Sequence, residues 1–600
     1  MEKLKHLIPA LLILLVAGGI DLAIRFNRQA RLEAAYKQLP DRILARMSLE
    51  QKIGQLLHVS LQSDNIDPTI RREIQEHHVG GVILFSRNLG TPENIQKLTS
   101  DMQNLAKANQ GVPLLISIDQ EGGRVARLRD NGATEFPAAM TIGQSGDPDF
   151  ARASALVTGY EMDRLGINLV LAPVLDINNN PLNPVINTRS YGESDAVVER
   201  MSLAYQAGAL QALSGPVIKH FPGHGDTAVD SHLALPKIER DLTDLESLEL
   251  KPFRKAIRQG APIVMVAHLL LPALDKEHPS SLSAKIIQGY LRDRLHFQGL
   301  VMTDAIEMKA VADRYSPGEI AVRAFQAGVD VILISGFDAR VTDAMIQALK
   351  QGFASGELDQ SRLDASVRRQ LDYKIRTALF TRTESTWLAD EEFAPIRRAD
   401  RILIETRETA YQTVLDAYHS ISELNFQIAY QAVRAAQAAY TPPSNPAILI
   451  YSDERTAEFA KHNLPARNNS IALMGMHTFG DFVRRVRSTD GLRNWLENHA
   501  STDITLLIEL DENQLAQWRS IAPLLRRRLD GMRRPDAPRP INVRVVLLYT
   551  GNPYLKVARS SSADVLLYSF SAVKVARQAL VARALDERPI APTDLSIPEP

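Results

Sequence analysis

Short apolar, β-rich runs alternate with helical patterning from about residue 40 to 380. The runs are LLHVSL (56–61), GGVILF (80–85), PLLISID (113–119), INLVLAP (167–173), PVIKHF (216–221), APIVMVAH (261–268), GLVMTDAI (299–306) and DVILISG (330–336). Each is almost continuously apolar rather than alternating. A strand with no polar face is covered on both sides, which is the habit of parallel sheets. Several runs follow a glycine that can stop a helix: Gly80, Gly166, Gly260, Gly299 and Gly328. Eight β/α units predict an α/β fold, a (β/α)8 TIM barrel over residues 40–380, with an open doubly wound sheet as the alternative. Polar residues fall at the C-terminal ends of five runs: Asp119, Asp176, His220, His268 and Asp304. In a parallel barrel that end carries the loops that build a site.

Beyond the barrel, residues 381–446 read as a helical linker, broken at Pro395 and at Pro442, Pro443 and Pro446. A second set of runs follows: AILIYS (447–452), SIALMGM (470–476), ITLLIEL (504–510), VRVVLLYTG (543–551) and ADVLLYSF (563–570). They alternate with helical stretches and predict a smaller α/β sandwich domain over 447–600. Residues 519–540 are locally basic, read as a solvated helix and loop, with contact to an anionic polymer or membrane surface as the alternative.

At the N-terminus, Lys3 and Lys5 precede the apolar run Leu7–Ile20, and Asp21 interrupts it. The run is short of the ~20 residues that span a bilayer and fits a signal-peptide core. No A-x-A cleavage site follows, so residues 7–24 could instead serve as an uncleaved membrane tether. Residues 1–30 are therefore expected to be a signal peptide or anchor, and the protein to be exported to the bacterial cell envelope.

Composition narrows the chemistry. Across 600 residues, 45% are hydrophobic and 23% charged, which excludes a disordered or fibrous chain. Lys and Arg number 69 against 70 Asp and Glu, so no nucleic-acid partner is expected. The absence of cysteine removes disulfides, thiolate metal sites, a catalytic thiol and a lipidated cysteine.

Three stretches carry the candidate chemistry. The first, Lys219 to His232, leaves a strand through two glycines and a proline and holds His220, His224, His232, Asp226 and Asp230. So many ionisable groups are costly to desolvate for structure alone. One reading is a metal site of His220, His224, His232 and an aspartate. The other is acid/base catalysis, in which Asp230 orients His232 and stabilises its protonated form. The second stretch, DQEGGRVARL (119–128), offers a strand-end carboxylate and guanidinium groups that can hold sugar hydroxyls. The third, VMTDAIEM (301–308), presents Asp304 as either a nucleophile or a capping residue.

Together with NTRSYG (187–192), these stretches resemble glycoside hydrolase family 3, in its bacterial β-N-acetylglucosaminidase, NagZ-like, branch. The likeness covers about residues 45–380. LLYTGNPY (547–554) and the segment 563–585 look like the second domain of longer members. The resemblance implies a retaining β-N-acetylhexosaminidase on a barrel. Asp304 would be the nucleophile, His232 the acid/base and Asp230 its assistant. Substrate contacts would map onto Asp119, Arg127, Arg189, Lys219 and His220, with His224 and His268 as supporting or merely packed residues. No metal or organic cofactor is implied. The implied partner is a carbohydrate, a terminal β-linked N-acetylglucosamine on peptidoglycan fragments or muropeptides. Two alternatives remain: a β-N-acetylglucosaminide phosphorylase, and a catalytically dead glycan-binding envelope protein.

Overall fold

The structure, a computed structural model, describes residues 27–435 except 110 and 130. It also describes 447–452, 456, 458–460, 473–488, 490–498, 503–533, 541–553, 564–584, 586 and 590. The signal-peptide or anchor segment at 7–24, and the part of the basic stretch beyond 533, lie outside the described residues. Among the described residues no helix is long and apolar enough to cross a membrane.

All eight apolar runs of the first set contain a strand. These are β1 (Leu57–Ser60), β2 (Gly81–Leu84), β3 (Leu115–Ile118), β4 (Leu169–Val170), β5 (Gly215–Phe221), β6 (Ile263–Val266), β7 (Leu300–Thr303) and β8 (Ile332–Leu333). Neighbours in sequence pair in parallel, β8 pairs with β1, and a bridge between Met302 and Val331 joins β7 to the entry of β8. The sheet therefore closes as a barrel, and the open-sheet alternative is excluded.

Both faces of these strands are buried, as the runs predict. In β6, Ile263 and Met265 point into the barrel with Leu300 and Met302 of β7, Leu115 and Val217. Val264, Val266 and Val301 point outward into the layer of helices. The helices begin at side-chain caps such as Ser48, Asp67 and Ser316, each accepting a hydrogen bond from the first turn. The five glycines ahead of strands serve two different purposes. Gly328 ends the helix Pro317–Ala327 with a φ of 114°, which only glycine adopts without strain. Gly80 and Gly299 instead sit where a Cβ would press on the carbonyl oxygens of Gln55 and Pro262, at 2.4 and 2.2 Å. They are packing glycines, not helix stops.

Helices Ala394–Tyr418 and Ile421–Ala432 lead to the second sheet, and the strand β9 (Arg434–Ala435) already belongs to it. The sheet continues with β10 (Ala447–Tyr451), β11 (Leu473–Thr478), β12 (Asp503–Leu510), β13 (Asn542–Tyr549) and β14 (Val565–Tyr568). Its order is β9-β14-β13-β12-β10-β11, parallel except for β9. Alternate residues of β12 and β13 face two separate cores: Leu506, Ile508, Val545 and Leu547 on one side, Leu507, Val546 and Leu548 on the other. The second domain is thus an α/β layer structure.

One barrel side chain belongs to the second domain's core. Met140, in the helix Ala139–Ser145, is fully buried among Phe570 and the β12–β14 residues. Around it Thr141 Oγ1 donates to the Ser569 carbonyl at 3.1 Å, Asn425 Nδ2 to the Glu135 carbonyl at 3.0 Å, and Arg434 to the Gln144 carbonyl. Apolar burial and oriented hydrogen bonds together fix how the two domains meet.

Candidate active site

The barrel's C-terminal rim gathers the polar strand ends. Asp119 follows β3, Lys219 and His220 close β5, His268 lies two residues past β6 and Asp304 follows β7. Asp119 receives Arg127 Nη2 at 2.9 Å and Lys219 Nζ at 3.0 Å. Lys219 Nζ also reaches Glu121 Oε1 at 2.6 Å. Glu121 in turn takes a two-pronged contact from Arg189, Nε and Nη2 each at 2.8 Å. Such forked pairs fix both partners in one plane. A second Arg189 contact, Nη2 to His220 Nε2 at 3.1 Å, leaves that ring nitrogen as acceptor. The His220 Nδ1–H then donates to Asp176 Oδ2 at 2.7 Å, and Asp176 also accepts the His224 backbone N–H at 2.7 Å. Asp119, Arg127, Arg189, Lys219 and His220 therefore form one connected network.

Burial alone would neutralise these groups, but mutual pairing keeps them charged. Desolvation pushes the Asp119 and Glu121 carboxyls up, yet Lys219, Arg127 and Arg189 outweigh it and hold both well below the carboxylate range. Burial would lower the Lys219 ammonium, but Asp119 and Glu121 raise it above its ordinary value. At Asp304 burial also pushes upward. His220, His268, the Ala305 N–H and Lys219 overcome that push and keep the carboxyl low. The Ala305 N–H donates to Asp304 Oδ1 at 2.8 Å, and the Asp304 N–H donates to Val266 O at 2.9 Å, extending the β6–β7 ladder to the carboxylate. His268 steadies the same turn, donating from Nε2 to the Ala305 carbonyl at 3.0 Å and accepting from Ser281 at Nδ1, 2.6 Å. Asp304 is thus ionised and rigidly mounted at the rim.

The loop after β5 has a buried pivot and an exposed tip. His224 is buried and bonds Thr227 through Nδ1 at 2.9 Å and Ser231 through Nε2 at 3.1 Å. Burial lowers the His224 ring to about 4, so it serves as a neutral tether. The Ser231 carbonyl accepts the Ala310 N–H at 3.3 Å, which holds the loop beside the segment after Asp304. On either side of Ser231, Asp230 and His232 turn outward. Asp230 Oδ1 accepts both the His232 backbone N–H and its Nδ1–H, each at 2.8 Å. The His232 side chain is 66% exposed, with Nε2 directed away from Asp230. Burial raises the Asp230 carboxyl, but the His232 N–H and imidazole lower it further and keep it ionised. Among the described residues no hydrogen bond joins this dyad to Asp304.

The three loop histidines do not converge. His220 and His224 use their ring nitrogens on Asp176, Arg189, Thr227 and Ser231, while His232 faces solvent. Among the described residues no group of three His, Asp or Glu side chains is arranged to hold a metal.

Two members of the network went unassigned in the sequence. Glu121 stands two residues after Asp119 in a short hairpin strand, Gln120–Gly122, so both carboxylates project the same way. That spacing was available as a signal. Asp176 was visible as a polar strand end, but its partners on β5 arrive only through the barrel's register.

A model of the glycosyl hydrolase family 3 N-terminal domain matches residues 48–372. The chain is 36% identical over 338 residues to β-hexosaminidase A of Pseudoalteromonas piscicida; the match covers 52% of this chain and spans only 56% of that relative's length. It is 34% identical over 314 residues to a β-hexosaminidase of Nitrosomonas eutropha, covering 51% of this chain and 87% of the relative. Among solved structures, a family 3 β-N-acetylglucosaminidase from a Paenibacillus strain superposes with a TM-score of 0.68 at 29% identity, over 92% of this chain and 99% of that one.

Proposed function

The chain belongs to glycosyl hydrolase family 3, and on that premise we propose that it is a retaining β-N-acetylhexosaminidase that removes terminal β-linked N-acetylglucosamine. The observation that carries this reading is the ionised, rigidly held Asp304 beside a ring of hydroxyl-binding groups. In the first step an Asp304 oxygen attacks the anomeric carbon while the glycosidic oxygen leaves with the proton of His232 Nε2. A covalent glycosyl-enzyme forms. In the second step His232 takes a proton from water, whose oxygen displaces Asp304 and releases the sugar. Asp230 keeps the His232 Nδ1–H engaged and stabilises the imidazolium that donates in the first step and is re-formed in the second, the ring being neutral between them. Asp119, Lys219, Arg127, Arg189 and His220 hold the sugar hydroxyls and acetamido group.

Charge supports the same reading. Asp119, Glu121, Asp176 and Asp304 supply four carboxylates against the permanent cations of Lys219, Arg127 and Arg189. One negative charge is left for the positive charge that develops at the anomeric carbon. The relatives named as β-hexosaminidases agree with this substrate class. For the natural substrate we propose GlcNAc-terminated peptidoglycan fragments, met in the cell envelope.

The test is turnover of an aryl β-N-acetylglucosaminide beside the matching β-glucoside, with and without phosphate. Preference for the glucosaminide, with no sugar phosphate formed, is expected. Asp304→Ala should abolish turnover with the circular dichroism spectrum unchanged. His232→Ala should slow turnover by ~10²–10⁴-fold, most for poor leaving groups. Full activity in either variant rejects its assigned role.

A further inference from the structure

Helices Phe479–Arg487 and Leu515–Arg533 cover the same face of the second sheet: Phe482, Val486, Leu525 and Leu529 lie in one core with Leu506 and Val545. The short helix Gly491–Glu497 completes that layer through Leu492 and Leu496. With the apolar stripes of all three turned to the sheet, their polar stripes share one outer surface. The three helices carry nine arginines, no lysine and three carboxylates, in a chain whose formal charge is −1. The opposite sheet face carries the helix Lys574–Ala584 through Leu580 and Val581, and Ala576 and Ala579 of that helix meet Ala429 of the linker. The arginine surface therefore faces away from the linker.

Local structure accounts for part of this charge. Asp481 pairs with Arg484, Glu497 with Arg493 at 2.9 Å, and Asp530 with Arg526 at 3.3 Å. Asp564, just ahead of β14, adds contacts to Arg526 and Arg533 at 3.5 and 3.8 Å. The helix dipole favours cations in a last turn, which suits Arg487 and Arg533. It does not reach Arg527, more than a turn before the end of its helix. Arg487 and Arg527 are both exposed, and among the described residues neither is bonded to a carboxylate. Between them, Arg528 Nη2 donates to the Arg487 carbonyl at 3.4 Å and ties the two helices together.

We propose that this surface docks the protein on a bilayer rich in anionic phospholipid. Guanidinium forks match pairs of phosphate oxygens, and the layer uses arginine to the exclusion of lysine. A layer of helices presents a broad surface, suited to an extended plane of headgroups rather than to one enclosed molecule. The sequence holds a second membrane-directed feature, the apolar run Leu7–Ile20 behind Lys3 and Lys5. Weak apolar anchors are commonly reinforced by a polybasic patch. Each arginine near an anionic surface strengthens attachment roughly fivefold. The proposal does not depend on which bond the barrel cleaves.

The test is co-sedimentation of the full chain with vesicles of phosphatidylcholine alone and of phosphatidylcholine mixed with phosphatidylglycerol. The readout is the ratio of the two partition coefficients, mixed over neutral, in which the contribution of an apolar anchor cancels. It should exceed one at low salt and fall as salt screens the charges. It should also fall roughly fivefold for each charge removed in Arg487→Gln and Arg527→Gln. Both substitutions keep a good helix former and break no ion pair among the described residues, so the thermal transition and the turnover of an aryl β-N-acetylglucosaminide should stay at native values. A native ratio of one overturns the proposal, and so does a ratio that the double variant leaves unmoved. Binding of soluble polyphosphate with no preference for phosphatidylglycerol overturns it as well, and gives the surface to a free polymer. Partition needs no substrate, so a chain that hydrolyses no glycoside fails the hydrolase reading alone.

Discussion

Lys374 is fully buried beneath the barrel, where its ammonium donates to Gln55 Oε1 at 3.0 Å and to the Gly80 carbonyl at 3.1 Å. Among the described residues no carboxylate is bonded to it, and burial lowers its pKa from 10.5 to about 7. Lys219 is buried as deeply, yet two carboxylates raise it. The contrast separates a group kept charged by its partners from one tolerated in a core. For Lys374 the linkage has a definite sign. The unfolded chain keeps the proton up to about pH 10, while the folded one sheds it near 7, so this residue's penalty shrinks as pH rises through that window. Lys374→Met should therefore raise the urea midpoint most at about pH 6, and its advantage should diminish by about pH 9. An advantage that is constant with pH would mean the lysine is not held neutral. Nothing in the sequence singled out Lys374, because a lysine in a helix reads as solvent-exposed until the packing is known.

The loop after β5 works as a unit because its middle is pinned and its flanks are free. Ser231 is buried and bonded to His224 through its side chain and to Ala310 through its backbone, while Asp230 and His232 on either side reach outward. Ser231→Ala removes the tether and leaves His224 Nε2 without a partner, a stability loss of about 1 kcal/mol. If the dyad protonates the leaving group, loosening it should also lower kcat for poor leaving groups more than for good ones, leaving KM nearly constant. A Ser231→Ala variant that is less stable but has an unchanged leaving-group dependence would reduce the tether to a structural role. The histidine-rich loop and its residues were legible in the sequence. The division of labour among them was not, since burial separates His224 from His232 although both precede or follow a serine or glycine within a few residues.

Met140, a barrel residue buried in the core of its neighbour, is one of the points at which the two domains join, beside the helix Ile421–Ala432, whose Ala429 packs on Val573, Ala576 and Ala579. Met140→Asp would place an unpaired carboxylate in that core, at a cost of several kcal/mol. Scanning calorimetry should then show two separated transitions in place of one, with the barrel transition near its original temperature. An unchanged single transition would mean the docking rests on the other contacts, the hydrogen bonds of Thr141, Asn425 and Arg434 and the packing of Ala429 on Val573, Ala576 and Ala579. The eight strands were legible because a barrel buries both faces of every strand, and the second domain was legible for the same reason. Gly80 and Gly299 were misread because a glycine required by a neighbouring carbonyl looks identical, along the chain, to one that ends a helix.

Local order along the chain determined a great deal: two α/β domains, the rim position of Asp119, His220, His268 and Asp304, and the pairing of Asp230 with His232 two residues apart. Each depends on periodicity or on short spacing, which the linear order preserves. Only the tertiary structure decided that Glu121 locks Arg189, that Asp176 orients His220, and that Met140 is buried beside Phe570 in the second domain's core. Those relations link residues tens to hundreds of positions apart. Barrel closure and domain docking bring them together, and neither leaves a trace in the spacing of the residues concerned.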